Sequence, residues 1–186
     1  LSREDPWIKG TGHTRYLPTS QSDDMNGPTH VTVYTDGSAR GNPGPGGYGI
    51  VFMAGAHYKE KSAGFRLTTN NRMELWSVCV ALESLKYPGT EVTIYSDSQY
   101  VVHAVEKDWI SGWIRRGWKN VKNPDLWKRY LTAAERHRVR FIWVRGHNGH
   151  VHNERCDHLA VEAATGVDLQ VDAWYEANRS QENGFF

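Results

Sequence analysis

Two periodicities alternate along this chain in an order that few folds can satisfy. Residues 30–35 (HVTVYT) alternate apolar and polar side chains and are rich in β-branched residues, which predicts a strand ending at Asp36. A Gly/Pro-rich turn over 41–47 follows, then two further strands over 48–53 and 58–65, joined through Ala54-Gly55-Ala56 as an antiparallel meander. The period then changes. Thr69 and Asn70 precede a segment whose apolar residues Leu75, Val78, Cys79, Leu82 and Leu85 keep helical spacing until Pro88-Gly89. A strand over 91–95, a helix over 98–107, a helix over 124–137, a strand over 139–144 and a helix over 153–165 complete the series. Three strands, then helix, strand, helices, strand and helix specify an α/β domain with a five-stranded mixed sheet flanked by helices.

Four carboxylates stand at the junctions of this pattern: Asp36, Glu74, Asp97 and Asp157. Each alone reads first as a turn or helix-end residue. Together they read differently, because the first and fourth strands would lie parallel and place Asp36 and Asp97 at adjacent carboxyl ends, where α/β sheets bind ligands. Glu74 would arrive from the intervening helix. Four such groups in one place repel one another unless cations lie between them. Carboxylates without a histidine or thiolate set suit Mg²⁺, and paired ions suit phosphodiester hydrolysis.

Other constellations are weaker. Gly44-Pro45-Gly46-Gly47-Tyr48-Gly49 has the spacing of a dinucleotide fingerprint, but a strand follows it where that motif needs a helix. His147, His150 and His152 with Cys156 have no standard zinc spacing. His147, with Gly146 and Gly149 nearby, suits a mobile proton-relaying residue, and a solvated histidine loop is the plain alternative. The two cysteines, Cys79 and Cys156, are expected to be buried free thiols.

The formal net charge of +1 conceals an asymmetry. Between Lys107 and Arg145 stand eleven Lys/Arg and three acidic residues, a local +8. Within that stretch Trp109, Trp113 and Trp118 interleave with Arg115, Arg116, Lys119 and Lys122. Aromatic faces beside cations suit a nucleic-acid backbone, although the tryptophan spacing also suits core packing. Residues 1–29 lack any period and are expected to be a poorly ordered extension; 166–186 is expected to be a tail. No stretch is apolar enough for a membrane span, and a cytoplasmic monomer with no membrane or obligate protein partner is expected.

The runs TDGSARGNPGPGGYG, TTNNRMEL, SDSQYV, WISGWIRRGWK and WVRGHNGHVHNERCDHLA, in this order, resemble type 1 ribonuclease H of the bacterial kind. The resemblance covers a catalytic domain at 30–165, with 108–123 as its basic protrusion. It implies the ribonuclease H-like fold and an endonuclease that cuts the RNA strand of RNA–DNA hybrids with two Mg²⁺ ions (Mn²⁺ as substitute), leaving 5′-phosphate and 3′-hydroxyl ends. Asp36, Glu74, Asp97 and Asp157 would be metal ligands and His147 the loop histidine. Asn42, Asn70, Asn71 and Gln99 would read the minor groove and 2′-hydroxyls, Thr69 would hold a DNA phosphate, and Trp109, Trp113, Arg115, Arg116, Trp118 and Lys119 would grip the DNA strand. The protrusion is shorter than the family's, and Leu67 stands where many members carry arginine. A hybrid-binding module without activity, or a domain of a polymerase-linked protein, are the competing readings.

Overall fold

A computed structural model describes residues 14–16, 29–146 and 148–182, the first three by their backbone. The expected five-stranded mixed sheet is present, and one short strand extends its edge. The strands are β1 (Thr14–Tyr16), β2 (His30–Ala39), β3 (Gly44–Ala54), β4 (His57–Thr68), β5 (Glu91–Ser96) and β6 (Arg138–Trp143), in the spatial order β1-β4-β3-β2-β5-β6. The meander β2–β3–β4 is antiparallel, while β5 and β6 add in parallel to β2. Strand β1, within the extension expected to be poorly ordered, pairs antiparallel with β4; residues 1–13 and 17–28 lie outside the described residues.

The helices are α1 (Asn70–Glu83), α2 (Gln99–Glu106), α3 (Trp109–Arg115), α4 (Pro124–Ala134), α5 (Val151–Thr165) and α6 (Ala173–Glu182). On one face of the sheet, Val31, Val33, Ile50, Phe52 and Ile94 pack against Leu75, Val78 and Leu82 of α1 and Leu126 and Trp127 of α4. On the other, Val51 meets Cys156 and Leu159 of α5. Alternation along β3 explains the split, since successive side chains point to opposite faces.

The glycine run read as a turn is mostly strand. A Cβ at Gly49 would stand 2.1 Å from the carbonyl oxygen of Cys156, and one at Gly47 2.5 Å from that of Ala160. These glycines let α5 lie directly on the β3 backbone, a close approach only a residue without a side chain allows.

The C-terminal segment is not an appended tail in the described residues. Gln170 bridges to Phe65, exchanging backbone hydrogen bonds with Gly64 and Arg66, and Arg66 forms a two-pronged ion pair with Glu176 of α6. Asp172 and Arg72 are fully buried and paired: Arg72 Nε donates to Asp172 Oδ2 at 2.6 Å. The same guanidinium donates to Asp125 and Asn123 at the start of α4 and lies 4.9 Å from the Trp174 ring centroid. Burial alone would lower the Arg72 pKa, but hydrogen bonds to Asp125 and Asp172 override it and keep the group charged.

Candidate metal centre

Parallel pairing of β2 with β5 sets Thr35 opposite Ser96, so Asp36 and Asp97 follow as neighbours at the place where the two strands diverge. Asp36 is not at a strand end, as alternation alone suggested. β2 continues to Ala39 because its other edge remains paired to β3, with Asp36 opposite Gly49. Glu74 enters from the first turns of α1, whose start is fixed by the Thr69 hydroxyl accepting from the Arg72 amide. A Cβ on Gly37 would stand 2.2 Å from the Glu74 nitrogen, so this glycine lets α1 close onto β2.

One ligand oxygen from each of Asp36, Glu74 and Asp97 lies within 4.8 Å of the others. Asp36 and Glu74 are each 6% exposed. Glu74 Oε2 is buried with no hydrogen-bond partner among the described residues. Burial first, then the charges of Asp97 and Asp157, push the Asp36 pKa up to about 8, against a lowering by the Gly37 N–H bonded to its Oδ1 at 2.7 Å. Glu74 is raised well above its ordinary value by burial, with Asp36 and Asp97 adding repulsion. Buried acids that repel one another and leave an oxygen unpaired are short of positive charge. A divalent cation fits that deficit, and all-oxygen ligands suit a hard ion.

Asp157, half-buried on α5, lies close enough to raise Asp36 and Glu74 but outside the tight three-carboxylate set. His147 lies outside the described residues. Two further residues complete the wall of the site. Asn153, 2% exposed, donates from Nδ2 to Asp97 Oδ2 at 3.3 Å, and a Cβ on Gly146 would stand 2.5 Å from that same oxygen. Asn153 is four residues before Asp157, so helical spacing could have flagged it. Gly146 carried no sequence signal beyond its neighbour His147.

Asn42 meets the start of α1, where the Asn70 backbone N–H donates to Asn42 Oδ1 at 3.2 Å, and Asn71 next to it is exposed. Gln99, at the start of α2, is exposed as well. The protrusion divides. Trp109, Arg115, Arg116 and Lys119 are exposed, whereas Trp113 and Trp118 pack against the core, Trp113 with its ring 5.2 Å from that of Trp127. Arg66 is turned to Glu176, so it does not substitute for an arginine at Leu67.

The sequence model of the RNase H family matches residues 28–165. A ribonuclease H of Syntrophus aciditrophicus is 47% identical over 173 residues, covering 90% of this chain and 99% of the relative. That of Desulforamulus reducens is 55% identical over 147 residues, covering 76% and 92%. Among solved structures, LC9-RNase H1, described as a type 1 RNase H with the type 2 active-site motif, is 34% identical with a TM-score of 0.67 over 84% of this chain and 82% of that one. LC11-RNase H1, solved in complex with an RNA/DNA hybrid, is 31% identical with a TM-score of 0.55 over 72% and 96%. Motif order, sheet topology and overall identity agree, and the chain belongs to the ribonuclease H family.

Proposed function

We propose that this protein is an endoribonuclease that hydrolyses the RNA strand of RNA–DNA hybrids, using two Mg²⁺ ions with Mn²⁺ as a workable substitute. The observation that carries the reading is the set of buried Asp36 and Glu74 with half-buried Asp97, one Glu74 oxygen being unpaired, in a chain of this family. Asp157 completes the ligand set from α5. Bound ions would supply Lewis acidity and a water of lowered pKa for in-line attack at phosphorus. Breaking the P–O3′ bond leaves a 5′-phosphate and a 3′-hydroxyl.

The chain's own groups provide the rest. Asn153 donates to the Asp97 carboxylate, and Gly146, without a side chain, leaves that carboxylate its room. Asn42, Asn70, Asn71 and Gln99 offer short amides that pair with 2′-hydroxyls and base edges of any sequence, which distinguishes RNA from DNA. Thr69 stands at the start of α1, where backbone N–H groups favour a DNA phosphate. Trp109, Arg115, Arg116 and Lys119 extend the grip along the DNA strand, while Trp113 and Trp118 support the protrusion from below. His147 assists proton transfer or product release. The enzyme acts as a cytoplasmic monomer without an obligate protein partner. The likeness to LC11-RNase H1, solved with a hybrid, supports the substrate class.

The direct test is cleavage of labelled RNA–DNA hybrid, duplex RNA and duplex DNA in Mg²⁺, in Mn²⁺ and in EDTA. Cleavage confined to the hybrid and abolished by EDTA is expected. Binding without cleavage in either metal would instead make the chain a hybrid-binding module.

A further inference from the structure

The basic stretch between Lys107 and Arg145 does not lie on the protrusion alone. Arg136, Arg138, Arg140 and Arg145 are exposed on β6 and its flanks, and β6 is the last strand of the sheet. Charge on an edge strand ordinarily guards against edge-to-edge pairing. That explains Arg138 and Arg140, and Arg138 also sits 3.6 Å from Glu91. It does not explain the end of the strand.

There Trp143 is 43% exposed, large and apolar, yet it is tied to the catalytic side of the molecule. Its indole Nε1 donates to the carbonyl oxygen of Asp97 at 3.1 Å. Trp143 stands opposite Ser96 in the parallel register, and the Val144 amide bonds the Ser96 carbonyl, so the ladder runs up to the metal centre. Arg145 is exposed two residues on, directly before the Gly146 that abuts Asp97 Oδ2. An indole half in water and an arginine thus border Asp97 on the side away from Asp36.

We propose that Trp143 and Arg145 form a subsite for the RNA strand beside the cleaved linkage, with the indole against the ribose of a flanking nucleotide and the guanidinium on its phosphate. This rests on the ribonuclease H reading. The strand that presents its phosphodiester to Asp97 must continue past one neighbour or the other. On the β6 side the next residue is Trp143, whose strand lies about 4.8 Å from β5, the spacing of adjacent strands. Bases within a hybrid are already stacked, so the sugar is the apolar surface left for an aromatic ring. Arginine offers a planar, two-donor match to phosphate. The indole N–H has a second consequence, since holding the Asp97 carbonyl fixes the backbone from which that carboxylate projects.

The experiment compares wild type with W143A, W143F and R145A, using hybrid binding in EDTA, single-turnover cleavage at saturating hybrid in Mg²⁺, and thermal melting to verify folding. W143A should weaken binding about tenfold, the scale of one lost aromatic contact. W143F should retain most of the binding yet cleave more slowly, because it keeps the ring and loses the donor. R145A should reduce the salt slope of binding by about one. A folded W143A with wild-type binding and cleavage overturns the inference. Equal loss of binding in W143A and W143F overturns the ribose contact. If wild type binds the hybrid without cutting it, the hydrolase reading fails while the binding comparison still decides the subsite.

Discussion

Asp36 carries a conflict that fixes much of the chemistry of the site. Buried and beside two other acids, its carboxyl is held at about 8, whereas the unfolded chain releases that proton near 3.8. Between those values the folded state binds more protons than the unfolded one, so stability falls as pH rises. Glu74 shifts in the same direction and adds to the effect. Without metal, the melting temperature should therefore decline from about pH 4 to about pH 8, and added Mg²⁺ should restore it most at the alkaline end. A flat profile with no response to Mg²⁺ would contradict the arrangement. Asp36→Asn should abolish cleavage, leave hybrid binding largely intact, and raise metal-free stability at pH 8 by roughly 2 kcal/mol, measurable by denaturant unfolding. His147→Ala should slow turnover by about 10–100-fold without ending it, as for an assisting acid or base, and an unchanged rate would make His147 a bystander. Individual acids were legible in the sequence because each sits in an unusual run. Gly37 and Gly146 were not, since their importance is what they allow in a neighbour distant along the chain, and Asn153 offered only its helical spacing from Asp157.

At the scale of elements, the protrusion shows one segment performing two tasks. Trp113 and Trp118 face inward and brace α3 against Trp127, which leaves Trp109 and the cations outside. Replacing Arg115, Arg116 and Lys119 together by alanine should weaken hybrid binding and flatten its dependence on salt by roughly three units of slope, with melting nearly unchanged. A salt dependence equal to wild type would remove the protrusion from the interface. Strand and helix types were readable from periodicity, but several boundaries were not. β2 runs past Asp36 and β3 begins inside the glycine run, because pairing partners and the approach of α5 decide those ends rather than local preference. The interleaved tryptophans and arginines were equally ambiguous, since spacing alone cannot say which side of a helix the body of the protein occupies.

Across the whole molecule, Arg72 joins three distant stretches: α1, the entry to α4 and the segment before α6. Removing one partner of a buried pair leaves the other charge uncompensated. Asp172→Ala should therefore cost about 3–5 kcal/mol in unfolding free energy. A loss below about 1 kcal/mol would show that Asp125 and Asn123 suffice for Arg72. Nothing in the composition of 166–182 announced this attachment, because a single buried aspartate and one bridging residue have no period to detect. Domain class and sheet order were legible for the opposite reason, resting on many residues that repeat one pattern.

Arg72 also sets an order of events during synthesis. The first turn of α1 is made early and Asp125 follows, but the fully buried carboxylate that completes the pairing of Arg72 emerges from the ribosome a hundred residues after it, at Asp172. Until that aspartate clears the exit tunnel, the cation two residues from Glu74 has Asp125 but not its fully buried partner. A nascent chain halted before Asp172 is expected to remain unlocked at its catalytic rim.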